Sequence, residues 1–475
     1  MELVSATKAN KQGLAAISGG VTRYPFLGII MTALATFMAV NLVPDNPEPT
    51  WALFASAMVM AVGLAIAPIA AAVTDVKSIL RGEHLLALSP IYWLLLDLLQ
   101  GAYPLIGVNA DQVANAFYCI GIFVIGVWLA AMGRQWQVPE LIVKSVSVDF
   151  SANTYFSVAV IAFVVGMLKF AIPTNFDVFE MVYYLGQMRW AAPWGRGQLG
   201  GWDAFLDHLQ YFGYLLPAIT VIIAKRCGWL NVRTVISAAM SVIMAIFLAQ
   251  SGSRRVIGVI FGMAFILWIL SQERLKIKHI VITVFGATLL LVVLQVMVEY
   301  RGVGLGQMFI EEQREEMSLS RRDYLHVDDN IYRLSQIIGL IPSAFPYVYQ
   351  KYIVWILIRP IPRVIWPGKP IDPGFDLPSA LGVEGVSYSC SVIGELYMSM
   401  GMLAVFIGGW FYGRLAGMAS RLLTSSVTFG SLIIYSTLMM ALFSGMRSML
   451  ELMLVSYVVL AWAALSSVFI RLKKR

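Results

Sequence analysis

The sequence predicts an all-α polytopic membrane protein, and three observations carry the prediction. Of 475 residues, 59% are hydrophobic and 13% charged, with mean hydropathy +0.76. Soluble domains are nearer half apolar and a quarter charged. The apolar residues fall in continuous runs of about 20, the length that crosses a hydrocarbon core as a helix, which excludes the alternating pattern of a β-barrel. The net charge of +7 sits in short segments between those runs, not on one basic face, so it argues for membrane orientation and against nucleic acid.

Twelve such runs are read in order, at about 24–43, 51–74, 85–107, 113–132, 153–172, 204–224, 234–250, 256–271, 279–298, 392–413, 424–443 and 449–470. The first is long enough to span and is read as a retained helix, not as a cleavable signal. The chain then divides into spans 1–9 over 1–298, a long loop over 299–391 with short helices of its own, and spans 10–12 over 392–475. Cys119, Cys227 and Cys390 lie on separate segments, which predicts neither a disulfide framework nor a cysteine metal site. No metal and no cofactor is expected.

Lysine and arginine in the short loops set the orientation. With the N-terminus in the cytoplasm, the inner segments hold Lys8, Lys11, Arg23, Lys77, Arg81, Arg134, Lys144, Lys225, Arg226, Arg233, Arg274, Lys276, Lys278, Arg414, Arg421 and the RLKKR tail, while the outer turns at 44–50 and 108–112 hold no cation. An even number of spans returns the C-terminus to the cytoplasm. The outer side then carries twelve arginines but only Lys351 and Lys369, a bias toward the planar, bidentate cation that suits phosphate or carboxylate.

Four outer features bear on chemistry. In Arg359–Pro370 (RPIPRVIWPGKP) four prolines discourage helix and present Arg359, Arg363 and Lys369 from a stiff segment, with Trp366 suited to the headgroup level. Such a segment can seat a lipid phosphate, or be an interfacial turn touching anionic lipids. In Ser251-Gly252-Ser253-Arg254-Arg255, two arginines occupy a tight outer turn at the hydrocarbon edge, where arginine marks a functional site unless it only snorkels. Arg447 repeats the situation in Ser444-Gly445-Met446-Arg447. Glu395, just inside the tenth span, can pair with an arginine or serve as general base.

Other residues weigh less. Asp97 and Lys169 fall within spans and require a partner or a wet cavity. His208 and His326 are more simply hydrogen-bonded than catalytic. Gly302-Val303-Gly304-Leu305-Gly306 follows no strand and lies outside, so it is not read as a nucleotide loop. Asp328-Asp329 is read as the cap of a helix whose apolar face is Ile331, Leu334, Ile338 and Ile341. Tyr347–Ile358 is about half a span and is expected to dip into the interface or pack on the bundle.

The SGSRR turn, the Ile361-Pro362-Arg363, Trp366-Pro367 and Lys369-Pro370 series, and Gly394-Glu395-Leu396-Tyr397 together resemble the bacterial oligosaccharide repeat-unit polymerases, among them the O-antigen polymerases. The resemblance covers about 250–450; the first 240 residues share only the span pattern. An Arg-x10-Gly spacing found in two outer loops of some of these enzymes occurs here as Arg189 with Gly200 and as Arg363 with Gly374. The resemblance implies a C-type glycosyltransferase-like fold in the bacterial inner membrane, acting at the periplasmic face on undecaprenyl-pyrophosphate-linked oligosaccharides. The growing chain would move from its carrier to the non-reducing end of the next lipid-linked repeat, without a metal, beside membrane lipids and a chain-length-regulating membrane protein.

On that reading Arg254 and Arg363 are the principal phosphate contacts, supported by Arg255, Arg359, Arg447 and Lys369. Arg189, Arg196, Trp190 and Trp194 would handle acceptor sugar, and Glu395 is the general base. The related ligases favour a histidine base, and no outer histidine here stands in a recognisable motif. An O-antigen ligase transferring to lipid A core and a lipid-linked oligosaccharide flippase are the rivals. The scarcity of mid-membrane charge argues against the flippase. A membrane O-acetyltransferase would want a catalytic histidine and a cytoplasmic cofactor site, and neither is read.

Overall fold

The computed structural model describes residues 24–475 except 139, 141–142, 144–146, 189–190, 196–202, 251–252, 301–323, 326, 371–372, 426–427 and 475. The described residues form helices and no strand. In chain order these are α1 (Pro25–Asn41), α2 (Phe54–Thr74), a 3-10 turn (Val76–Leu80), α3 (Gly82–Pro90), a π turn (Ile91–Leu95), α4 (Leu96–Leu99), α5 (Ala110–Met132), α6 (Ala152–Ala171), α7 (Val178–Leu185), α8 (Asp203–Gly213), α9 (Leu216–Cys227) and α10 (Val232–Gln250). There follow α11 (Arg254–Leu270), α12 (Ile277–Tyr300), α13 (Asn330–Leu340), α14 (Lys351–Ile358), α15 (Leu377–Ala380), α16 (Ser391–Ser425), α17 (Phe429–Gly445) and α18 (Met449–Lys474).

Among the described residues eight helical segments are long and apolar enough to cross a membrane: α2, α5, α6, the α8–α9 pair, α10, α12, α16 and α18. α1 and α17 are apolar but shorter, at 17 residues each. The run at 85–107 is not one helix. Pro90 ends α3, the backbone widens into the π turn, α4 lasts four residues, and Gly101 turns the chain at φ +57. α16 is longer than the run at 392–413 and is interrupted inside it, at Met400 and at Gly401 with φ +62. Pro217 opens α9 and divides the run at 204–224.

Small residues bring the backbones together, as expected where lipid offers no hydrophobic drive for association. α5 packs most closely on α16. A Cβ at Gly126 would lie 2.7 Å from the Phe406 carbonyl oxygen, and one at Gly409 would overlap the Phe123 carbonyl. α1 and α2 close on this pair, with Gly28 under Trp128 and Gly63 under Ala35. α9, α10, α11, α17 and α18 form the other half of the bundle. α12 stands apart: its outward residues, such as Phe285 and Val284, are exposed, and it packs chiefly on α11.

Within the 299–391 segment, α13 buries Ile331, Leu334, Ile337 and Ile341 against α5 and α16. Its start corrects the capping expectation. Asp329 stands at the N-cap but its side chain caps nothing; it pairs with Arg333 one turn on, while Asp328 reaches two arginines of the bundle. Charge pairing has outcompeted the cap because the arginines carry a full positive charge and the helix end only a partial one. α14 buries Tyr352 and Ile356 against α16 and α18 and leaves Ile353, Val354 and Leu357 exposed, so it packs on the bundle by one face.

The close crossing gives a stability test. Gly409→Val should lower the midpoint of unfolding in detergent, at a cost of at least about 1–3 kcal/mol from forced separation of α5 and α16. Gly368→Ala, in open space, should stay within about 0.5 kcal/mol of the parent.

Candidate functional site

Arg254 and Arg255 are the first two residues of α11, and Ser253 at the N-cap makes no capping bond. Arginine at a helix N-terminus opposes the macrodipole and needs an anion close by. The chain supplies two. Arg254 Nη2 lies 3.5 Å from Asp328 Oδ1, and Arg255 pairs with Glu451 in the first turn of α18. Arg447, in the turn before α18, donates from Nε to Asp328 Oδ2 at 2.6 Å. One carboxylate from the long segment thus holds two guanidiniums, one from α11 and one from the turn before α18.

Below this cluster lies a cavity of about 660 Å³ with two kinds of wall. Its rim is Ser253, Arg254, Arg255, Asp328, Ser444 and Arg447. Its body is apolar, formed by Gly258, Gly262 and Phe265 of α11 against Ala287, Leu290, Leu291 and Leu294 of α12. Gly258 and Gly262 are one turn apart, so α11 presents a shallow face there. The space suits an amphiphile with an anionic head.

A second cavity of about 320 Å³ shares Arg255 and Arg447 with the first and adds Glu451, Arg359, Tyr352, Ser448 and Glu395. Glu395 is buried one turn into α16. Its Oε1 accepts from the Tyr352 hydroxyl at 2.5 Å and its Oε2 from the Met449 backbone N–H at 2.6 Å, the first residue of α18. The carboxylate therefore joins α14, α16 and α18. Burial, then the neighbouring Glu395 carboxylate, push the Tyr352 phenol well above the ordinary tyrosine value, so it keeps its proton. Arg359 enters this cavity with its guanidinium 4.8 Å from the centre of the Trp355 ring.

The rest of the Pro-rich segment is turned away. Lys369 Nζ donates to the Arg359 and Ile361 carbonyls at 3.0 and 2.8 Å, and Arg363 Nη1 to the Lys369 carbonyl at 3.2 Å. Burial, then Arg363 and Arg359 nearby, lower the Lys369 pKa from the usual lysine value. These cations staple their own loop. Arg363 is exposed and lines neither of these cavities, and Ile365 and Trp366 at the loop tip are exposed as well. Of the two arginines expected to dominate, only Arg254 stands at the cluster.

Arg189, Trp190 and Arg196 lie outside the described residues, as do His326, the glycine run at 302–306 and the first two residues of the SGSRR turn. Trp194 is described, and its stacking face is not open. The indole is buried edge-on against Phe170, with centroids 5.4 Å apart, and its N–H donates to Gln250 Oε1 at 3.1 Å. The His208 ring packs on Tyr457 at 4.8 Å. Lys169 has the partners its position demanded, Asp207 at 2.9 Å and Gln210 Oε1 at 2.8 Å. Asp97, after the π turn, accepts from Tyr103 at 3.5 Å.

Sequence reasoning missed Asp328 and Glu451 as partners of the arginines, and Tyr352 as partner of Glu395. Glu451 left a signal: it stands four residues beyond Arg447, at the edge of an apolar run. Among the described residues no group of His, Cys, Asp and Glu could hold a metal ion, and Asp328 already has two guanidiniums.

A double-mutant cycle tests the bridge. Asp328→Ala and Arg447→Ala should each destabilise the detergent-solubilised protein, and together by less than their sum, with a coupling of about 1–2 kcal/mol. A strictly additive pair would deny that the two side chains interact. Compared with protein-family models, curated proteins and solved structures, the chain matches none.

Proposed function

We propose that the protein is a membrane glycosyltransferase that polymerises oligosaccharide repeat units carried on undecaprenyl pyrophosphate, at the periplasmic face of a bacterial inner membrane. The observation that carries the reading is a cluster of three arginines, Arg254, Arg255 and Arg447, at the mouth of an apolar groove. An anionic head would meet the guanidiniums while its prenyl tail follows α11 and α12. Each charge-assisted contact contributes about 1.5–3 kcal/mol. The proposal includes twelve spans, both termini in the cytoplasm and the 299–391 segment outside. The cations of the Lys77, Lys225 and Arg274–Lys278 segments would then lie at the cytoplasmic end, and Arg254 and Arg447 at the other.

In the proposed reaction an acceptor hydroxyl oxygen bonds to the anomeric carbon of the growing chain. The anomeric C–O bond to pyrophosphate breaks, and undecaprenyl pyrophosphate leaves. Arg254, Arg255 and Arg447 take the charge that develops on the leaving phosphate. The acceptor proton passes to Tyr352 as that phenol gives its own proton to Glu395, so both side chains act at the second cavity. Arg359 borders the same space and would orient the acceptor. Arg363 and Lys369 have a different part here from the one expected of them, as the staple that keeps Arg359 in place.

A transfer to lipid A core would use the same donor seat, and a flippase the same lipid. The experiment that separates them is incubation of the purified protein with undecaprenyl-pyrophosphate-linked repeat units, with and without EDTA, and separation of the glycans by size. The expected result is a ladder that persists in EDTA. Arg447→Ala should abolish it, and Glu395→Gln should slow it by about 10²–10⁴-fold while substrate binding persists. Folded wild-type protein that gives no ladder refutes the polymerase reading; glycan appearing on added lipid A core instead would establish the ligase.

A further inference from the structure

Three cavities meet at Arg255, and the reaction proposed above uses two. The third, about 220 Å³, lies on the other flank of α11, between α6, α8, α10 and α18. Its polar groups come in held pairs. Lys169 Nζ is fixed by Asp207 and Gln210, Gln250 takes the Trp194 N–H, and Arg255 is paired with Glu451. Among the described residues Gln250 Nε2 makes one long bond, 3.5 Å to the Met188 carbonyl. The rest of the lining is largely apolar, with Phe170, Phe247 and Val259 in it.

Charges at this depth are costly, and a buried ion pair is on average no more stabilising than apolar residues of equal volume. A cavity that mixes carboxylates, amides and an ammonium with aromatic and aliphatic side chains is therefore a poor way to hold a bundle together. It is a good way to hold a polar ring with an apolar face. A pyranose is such a ring: its hydroxyls both donate and accept, and its C–H face packs on aromatic carbon. The volume suits one ring. The cavity also touches the pyrophosphate seat through Arg255 and Ser253, which line both.

We propose that this cavity is a monosaccharide subsite for the first sugar of the lipid-linked unit, the one bonded to pyrophosphate. The inference rests on the function proposed above and deepens it. Lys169, Asp207 and Gln250 read the hydroxyls, and Arg255 spans the junction between sugar and phosphate. Discrimination between repeat units then resides in α6, α8 and α10, which hold the sugar whose bond to pyrophosphate breaks.

The test compares two ligands on the full chain in nanodiscs: undecaprenyl pyrophosphate, and the lipid-linked repeat unit extracted from host cells deleted for this protein. Wild type should bind the glycan-bearing lipid at least about tenfold more tightly. The double variant Lys169→Gln/Asp207→Asn removes both charges together and leaves neither unpaired. It should bring the two affinities within about twofold while leaving that for undecaprenyl pyrophosphate unchanged. Gln250→Leu should do the same in part, and serves if the double variant does not fold. Wild type with no preference, or variants that keep it, overturns the subsite alone. Wild type that binds neither lipid refutes the proposed function, and the subsite with it.

Discussion

One end of the bundle depends on one carboxylate. Asp328 is joined to Arg254, 74 residues before it, and to Arg447, 119 residues after it. Without it, the N-terminus of α11 and the turn before α18 would each present a guanidinium that has lost this carboxylate. Like charges brought close in a medium poorer than water repel by several kcal/mol. The same bond fixes the start of α13, whose apolar face then closes over α5 and α16. A segment that sequence pattern assigns to a loop is in this way built into the bundle.

Glu395 does the corresponding work one cavity away. It gathers the hydroxyl of α14 and the first backbone N–H of α18 onto α16. A carboxylate at a helix N-terminus is favoured by the dipole and by the unpaired N–H groups there. Asp328 and Glu451 together leave the arginines fixed but not silenced: Arg254, Arg255 and Arg447 all still border open space. A site that must bind anions repeatedly needs cations held by few, replaceable partners. One shared carboxylate meets that requirement better than a private acid for each arginine.

Much of this was legible in the sequence. The apolar runs mark the helices because a run of about 20 residues has few other solutions in lipid. Arg254, Arg255 and Arg447 were singled out because arginine at the hydrocarbon edge is costly. What sequence pattern lacks is partner identity. Asp328 reads as a helix cap because Asp-Asp-Asn before an apolar periodicity is how caps look, and nothing local reveals two arginines from elsewhere. Lys369 reads as a phosphate ligand for the same reason. That its ammonium folds back to the 359 and 361 carbonyls depends on the turn its own prolines impose, and composition does not encode that path. Pro90 and Gly401 do announce breaks in the apolar runs, but hydropathy is blind to them.

The placement of α12 bears on how a lipid substrate would reach the arginines. α12 is the least buried of the long apolar helices among the described residues, and α11 is its main neighbour. The groove between them therefore has bundle on one side and one lipid-facing helix on the other. A prenyl chain can enter such a groove sideways, exchanging one set of acyl contacts for another at little cost, while its head stays at the polar surface. Nothing in that path requires a charged head to cross hydrocarbon. A transporter must solve that problem with polar groups at mid-depth, whereas the three cavities described here cluster at one end, around Arg255. The lipid substrate of the proposed function would reach the arginines along that groove without leaving the membrane.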